Sequence, residues 1–293
     1  MSIRAGSVFP VAIGSIVLFI FILPPVFGHE GDLPESNQSF FKEFDIISYY
    51  GSPYTKKMGI LGDYPPEKLA TLIKEQADEY DKLNGERGVK TAFHIVFASA
   101  QPNGELLLVN PTIVKKYIQV AANNNMLVFL DHQIGRHPVA KAAADLLAYA
   151  AYDNVHFAVD PEWRTINTGR EIGSIDGTEI NRIQELIGEH LDKQGILGQK
   201  ILLVHQFSYK MLTSRPAIKA DYPRVKLVHT MDGFGHPALK KDTFAANAKA
   251  TNLAMKGFKL FYNHRGSWSY DLPLMSPAEV LSLKPRPVVI IYQ

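Results

Sequence analysis

Four acidic residues each end or follow a short apolar run: Asp131, Asp160 with Glu162 two positions on, and Asp232. If the fold gathers them, they cannot all stay ionised cheaply, because like charges repel and at least one pKa must rise. A carboxylic acid kept protonated beside an ionised carboxylate is the equipment of acid/base hydrolysis. In that arrangement Glu162 is the general acid, Asp160 tunes it, and Asp232 or Asp131 acts as base or nucleophile. Gln133, Arg136, Trp163, His205, Gln206, Tyr49 and Tyr262 lie at or just beyond the same kind of run and are candidates for substrate contact. Arg136 is placed to keep a partner such as Asp131 ionised. Aromatic side chains in these positions, with Tyr50, Phe234 and Trp268 among them, suit stacking on sugar rings.

The plainer readings are local. An Asp at a strand end often caps the following loop. His94 and His156 fall earlier in their runs and read as core or bottom-layer residues; His236 and His264 read as loop surface. Lys259 has an apolar residue on each side, and an inward, desolvated amine there would allow Schiff-base chemistry.

The elements that must position these residues follow a regular rhythm. Strands are expected at Phe44–Tyr50, Thr91–Ser99, Met126–Gln133, Val155–Glu162, Ile201–Phe207, Val225–Asp232, Phe258–Tyr262 and Val288–Gln293. Between them, helical spacing predicts helices over about 66–83, 112–123, 138–152, 176–191 and 242–255, with a short one opened by Ser276-Pro277. Asp176 and Glu179 have the spacing of a capping box. Eight strands alternating with helices predict an α/β fold, a single (β/α)8 TIM-like barrel closed by pairing of the first and last strands. In that fold the active site lies at the C-terminal ends of the strands, where the candidate residues fall. Alternation puts Asp131 and Gln133 on one side of their strand, and Asp160 and Glu162 on one side of theirs, about 6.5–7 Å apart if extended. No helix follows the last run, and the segment before the first strand is expected to cover that gap.

At 293 residues and 46% hydrophobic, the chain can bury a large core. A net charge of +2 argues against a nucleic-acid partner. The chain has no cysteine, so disulfides, thiolate chemistry and a lipid-modified cysteine are excluded. Residues 1–28 read as a secretory signal peptide: Arg4, an apolar run densest over Ile16–Leu23, Pro24-Pro25, then Val26-Phe27-Gly28 as a cleavage boundary. The rival reading is an uncleaved anchor, the only way a membrane would become a partner. Residues 29–43 form a polar lead-in, with Asn37-Gln38-Ser39 fitting a glycosylation sequon, and 44–293 form the barrel. His-x-His, His-Glu-x-x-His and Gly-rich phosphate motifs are absent, so no metal or cofactor is expected.

Several blocks together resemble uncharacterised exported, lipoprotein-like bacterial proteins. They are Leu130-Asp131-His132-Gln133-Ile134-Gly135-Arg136, Ala158-Val159-Asp160-Pro161-Glu162-Trp163, Ile172-Gly173-Ser174, Glu179-Ile180-Asn181, Val204-His205-Gln206-Phe207, Asp232-Gly233-Phe234-Gly235 and Gly257-Phe258-Lys259-Leu260-Phe261-Tyr262. The resemblance covers roughly residues 90–293. It implies a secreted barrel with a glycoside-hydrolase-like pattern and carries no catalytic residue with it. Asp160-Pro161-Glu162 is also similar to the last three positions of the strand-four motif of chitinase-type barrels, where the Glu is the general acid and the Asp orients the substrate. His156 and Ala158 depart from that motif upstream.

The function expected from these residues is an exported, glycoside-hydrolase-like enzyme acting on an envelope or environmental polysaccharide, or on another small polar substrate. A non-catalytic glycan-binding or scaffold barrel and a metal-dependent hydrolase are the alternatives.

Overall fold

Parallel strands buried on both faces need apolar residues at almost every position. The eight runs meet that demand and form eight parallel strands: β1 (Phe44–Gly51), β2 (Gly88–Ala100), β3 (Leu127–His132), β4 (Val155–Val159), β5 (Lys200–Gln206), β6 (Val225–Met231), β7 (Lys256–Leu260) and β8 (Val289–Tyr292). The computed structural model describes residues 40–263 and 269–293. The expected signal peptide, most of the 29–43 lead-in, the sequon, His264 and Trp268 lie outside the described residues.

Each strand pairs in parallel with its sequence neighbour, and β1 pairs with both β2 and β8, with Ile46 opposite Val289 and Tyr49 opposite Tyr292. The sheet is therefore closed as a (β/α)8 barrel. Around it run α1 (Pro66–Asp81), α2 (Pro111–Asn123), α3 (Val139–Leu147), α4 (Gly177–Lys193), α5 (Pro237–Ala248) and α6 (Pro277–Leu281). The capping box predicted for α4 is present, with Asp176 and Glu179 each bonded to the other's backbone. α5 starts five residues ahead of the expected position, because Pro237 takes the first turn and His236 caps it. Among the described residues, three further strand pieces are short. Leu106–Leu108 pairs antiparallel with the end of β2, and Ile175–Asp176 pairs with Leu212–Thr213.

Alternation divides the core in two. Ile46, Val96, Phe129, Leu203, Val228 and Ile291 fill the lumen. The intervening residues, such as Ile47, Phe93, Leu130 and Leu202, pack outward against Leu69, Ile73, Ile118 and Ile183 of the helices. β2 bulges between Val96 and Ala98, so Val96 faces the lumen while Phe97 and Ala98 both join the outer layer. At the N-terminal face, the fully buried Asp45 at the start of β1 pairs with Arg87 ahead of β2 and Arg286 ahead of β8. One carboxylate thus fastens both neighbours of β1 at the seam where the barrel closes.

Candidate active site

The C-terminal mouth is built from inward residues at or just past the strand ends. Tyr50, Asp131, His205, Asp232 and Lys259 meet there. Tyr50 Oη donates to Asp131 Oδ2 at 2.9 Å. His205 Nδ1 lies 2.9 Å from the Asp232 carboxylate. Lys259 Nζ donates to Asp232 Oδ2 at 3.2 Å and stands 3.6 Å from the Tyr50 ring centre, a close cation–π contact. Asp232 therefore holds two cationic groups.

Glu162 reaches this site by a route that strand parity does not describe. β4 ends at Val159; Asp160 Oδ1 accepts from the Glu162 amide at 3.1 Å, and Pro161–Trp163 curl into a single 3₁₀ turn. Pro161 fixes φ and the Asp160 cap holds the turn, so the extended spacing expected between Asp160 and Glu162 does not apply. The loop beyond is tied down by Arg164, whose Nη2 meets Glu179 Oε1 at 2.6 Å on the first turn of α4.

The electrostatics separate these carboxyl groups. Burial, opposed by Lys259 and reinforced by Asp232, raises the Glu162 pKa from 4.5 to about 7. Burial and the neighbouring Glu162 hold the Asp160 carboxyl well above its usual range. Burial would also raise Asp232, but His205 and Lys259 outweigh it and bring the group down to about 2. Burial would lower His205, yet Asp232 and Asp131 prevail and lift it to about 9. At neutral pH a protonation-competent Glu162 thus faces an ionised Asp232, the division of roles that acid/base chemistry uses.

Not every candidate arrives at the mouth. Gln206 follows the inward His205 and so points outward: its Oε1 accepts from His229 Nε2 at 2.7 Å, in a buried polar chain that continues to Lys256 Nζ. Tyr49 and Tyr262 are likewise on outward positions. They pack edge to face between the sheet and α1, where Tyr49 donates to the Leu72 carbonyl and Tyr262 to Gln76. Gln133 is buried, but its Oε1 is taken by the Ala100 amide at 2.7 Å and sews the exit of β3 to the end of β2. Arg136 pairs with Glu105, not with Asp131. Trp163 stays half-buried on the turn that carries Glu162.

Two residues stand in the site against their sequence reading. His94 faces the lumen beside Tyr50, with ring centres 4.8 Å apart, and is a site residue instead of bottom-layer filling. Tyr50, grouped above only with rim aromatics, is the phenol that contacts Asp131. Counting in twos from Ala92 and from Ile46 would have placed both inward.

Just past β3, Ile134 has φ 62° and Gly135 φ 61°. A β-branched residue in the left-handed region is strained, and such strain persists only where its surroundings enforce it. Here the Ile134 amide donates to His132 Nδ1 at 2.9 Å, and His132 Nε2 meets Asp145 of α3 at 3.2 Å. The strain thus sits three residues from Asp131.

No known family matches the chain, and no curated protein matches it. Solved structures similar to it include a GH138 enzyme targeting pectin rhamnogalacturonan II (12% identity, TM-score 0.40, 85% of this chain and 34% of that one). They also include the endo-β-1,4-glucanase of Xanthomonas axonopodis pv. citri (12%, 0.49, 84% and 87%) and 2,3-dimethylmalate lyase (11%, 0.49, 86% and 75%). The chain spans about a third of the first of these enzymes. Enzymes described as glycoside hydrolases and as a lyase both occur among its structural neighbours, at identities that say nothing of the chemistry inside.

Proposed function

We propose that this barrel hydrolyses glycosidic bonds in a polysaccharide of the cell envelope or its surroundings, which presupposes the export that residues 1–28 suggest. The observation that carries the reading is the divergence of two carboxyl groups in one mouth, Glu162 raised to about 7 and Asp232 lowered to about 2. Glu162 would protonate the leaving oxygen. Asp232 is preferred over Asp131 as the ionised partner, because it acts electrostatically on Glu162 while Asp131 lies fully buried beneath Tyr50. Among the described residues Glu162 has no side-chain hydrogen bond that would hold it away from a substrate. Tyr54, Tyr209, Phe234 and Tyr270 stand exposed on the loops after β1, β5, β6 and β7, and offer flat faces for sugar rings.

Polysaccharide digestion followed by reducing-end release tests the proposal. Glu162→Gln removes the transferable proton while keeping the shape, so activity should fall roughly 100-fold or more in a folded protein. A folded Glu162→Gln variant with unchanged activity would remove Glu162 from the chemistry.

A further inference from the structure

At the floor of the mouth, His94 joins Asp131 and His205 in a cluster of polar side chains that proton transfer from Glu162 does not explain. His94 of β2, Asp131 of β3 and His205 of β5 are each fully buried, and one ligand atom from each lies within 4.8 Å of the others. His94 Nε2 is 3.9 Å and His205 Nε2 3.7 Å from Asp131 Oδ2. These separations are too long for hydrogen bonds. Accordingly, both ring nitrogens of His94, His205 Nε2 and Asp131 Oδ1 have no hydrogen-bond partner among the described residues. Each buried, unpaired polar group costs about 1–3 kcal/mol. Two of them, His94 Nε2 and His205 Nε2, stand within 4 Å of the same Asp131 oxygen, a spacing that suits an ion accepting their lone pairs.

At tetrahedral angles, ligand atoms about 2.0–2.2 Å from one ion stand roughly 3.3–3.6 Å from each other, so the separations of 3.9 and 3.7 Å from Asp131 would shorten by a few tenths of an ångström on binding. The outer contacts have the matching form. His205 binds Asp232 through Nδ1, so its Nε2 coordinates once an ion displaces the second ring proton, and Tyr50 Oη fixes the Asp131 carboxylate. A carboxylate behind a ligating imidazole sets its tautomer and strengthens it as a ligand.

We propose that His94 Nε2, Asp131 and His205 Nε2 bind one divalent first-row transition ion, with zinc the first candidate, inside the barrel beneath the mouth. Two imidazoles and one carboxylate are a donor set used by catalytic zinc and non-haem iron sites, and they leave coordination positions for a water or a substrate oxygen. No short sequence motif announces the site, because its ligands come from three strands. The site goes beyond the proposed hydrolysis and does not depend on it.

The test is metal stoichiometry on the whole chain, stripped with a chelator, reloaded with zinc, desalted and measured by mass spectrometry. About one zinc per chain is expected in the wild type and in Glu162→Gln, with near-complete loss in His94→Ala and His205→Ala. Should either alanine variant not fold, His94→Phe keeps the ring packing against Tyr50 and Phe129 while removing both nitrogens. Asp232→Asn should weaken zinc binding roughly 10- to 100-fold in competition with a chromophoric chelator. Zinc should also raise the thermal midpoint of the wild type and leave that of His94→Phe unchanged. A folded wild type that retains no zinc, or a folded His94→Phe that retains it undiminished, would overturn the site. Because these readouts involve no polysaccharide, they fail or succeed separately from the glycosidase reading.

Discussion

Glu162 carries a pH signature that can be read without a substrate. Its pKa rises from 4.5 to about 7 on folding. Between those values the folded chain holds a proton that the unfolded chain has released, so stability falls as pH rises through the window. Glu162→Gln has no such group. Its thermal midpoint relative to wild type should therefore climb between pH 4.5 and pH 8, as Asp160, Asp232, Lys259 and His205 remain in both proteins. A difference that stays constant across that range would show Glu162 to be titrating normally. Part of this residue-level picture is legible in the sequence: strand-end position and parity bring Asp131 and Asp232 toward one mouth, with His205 at the end of its strand, whereas Lys259 reads equally as inward or as lying between helices. Parity also turns Gln206, Tyr49 and Tyr262 outward, so a place at a strand end does not by itself put a side chain in the mouth. The Glu162 turn could not be reached by counting, since a side chain caps it and a proline bends it.

At the scale of elements, three connections lock together at the rim near Asp131. The turn Pro102–Gly104 follows β2, Gly135 follows β3, and Thr165 belongs to the loop after β4. A Cβ on Gly135 would stand 2.2 Å from the Gly104 carbonyl oxygen, and one on Gly104 would stand 2.6 Å from that of Thr165. Both glycines also have φ in the left-handed region. Gly135→Ala should thus destabilise the protein by about 2 kcal/mol or more, read as a lower denaturant midpoint, because backbone meets backbone and nothing flexible can give way. An unchanged midpoint would mean the loops separate freely. That these glycines touch across two loops is a tertiary fact with no local signal in the sequence.

For the whole molecule, the count and spacing of apolar runs were enough to foresee the barrel, since each parallel strand is buried on both faces and each needs a crossover. Closure rests on the β1–β8 pairing and on Asp45 beneath it. Asp45→Ala would leave Arg87 and Arg286 facing each other without their shared carboxylate. Both arginines retain some contact with water, so the loss should fall near the lower end for a broken buried pair, roughly 3 kcal/mol in equilibrium unfolding. A loss below about 1 kcal/mol would assign the seam to strand pairing alone. Asp45 gave no sign of this role in the sequence, because its partners lie 42 and 241 positions away.

The closed sheet has one more consequence, for how copies of this chain behave when crowded. An open sheet presents unpaired amides and carbonyls along its outer strands, and these can template the addition of another molecule. A barrel that returns to its first strand removes both borders. Among the described residues, the strand edges that remain belong to Leu106–Leu108 and to the two-residue pair Ile175–Asp176 with Leu212–Thr213. Leu107 and Leu108 are exposed, and an apolar edge of greater length would invite aggregation. At three residues, the piece is shorter than the six- or seven-residue segments that zip into stacked assemblies. Resistance to strand-mediated self-association is thereby built into the topology, and does not depend on surface charge.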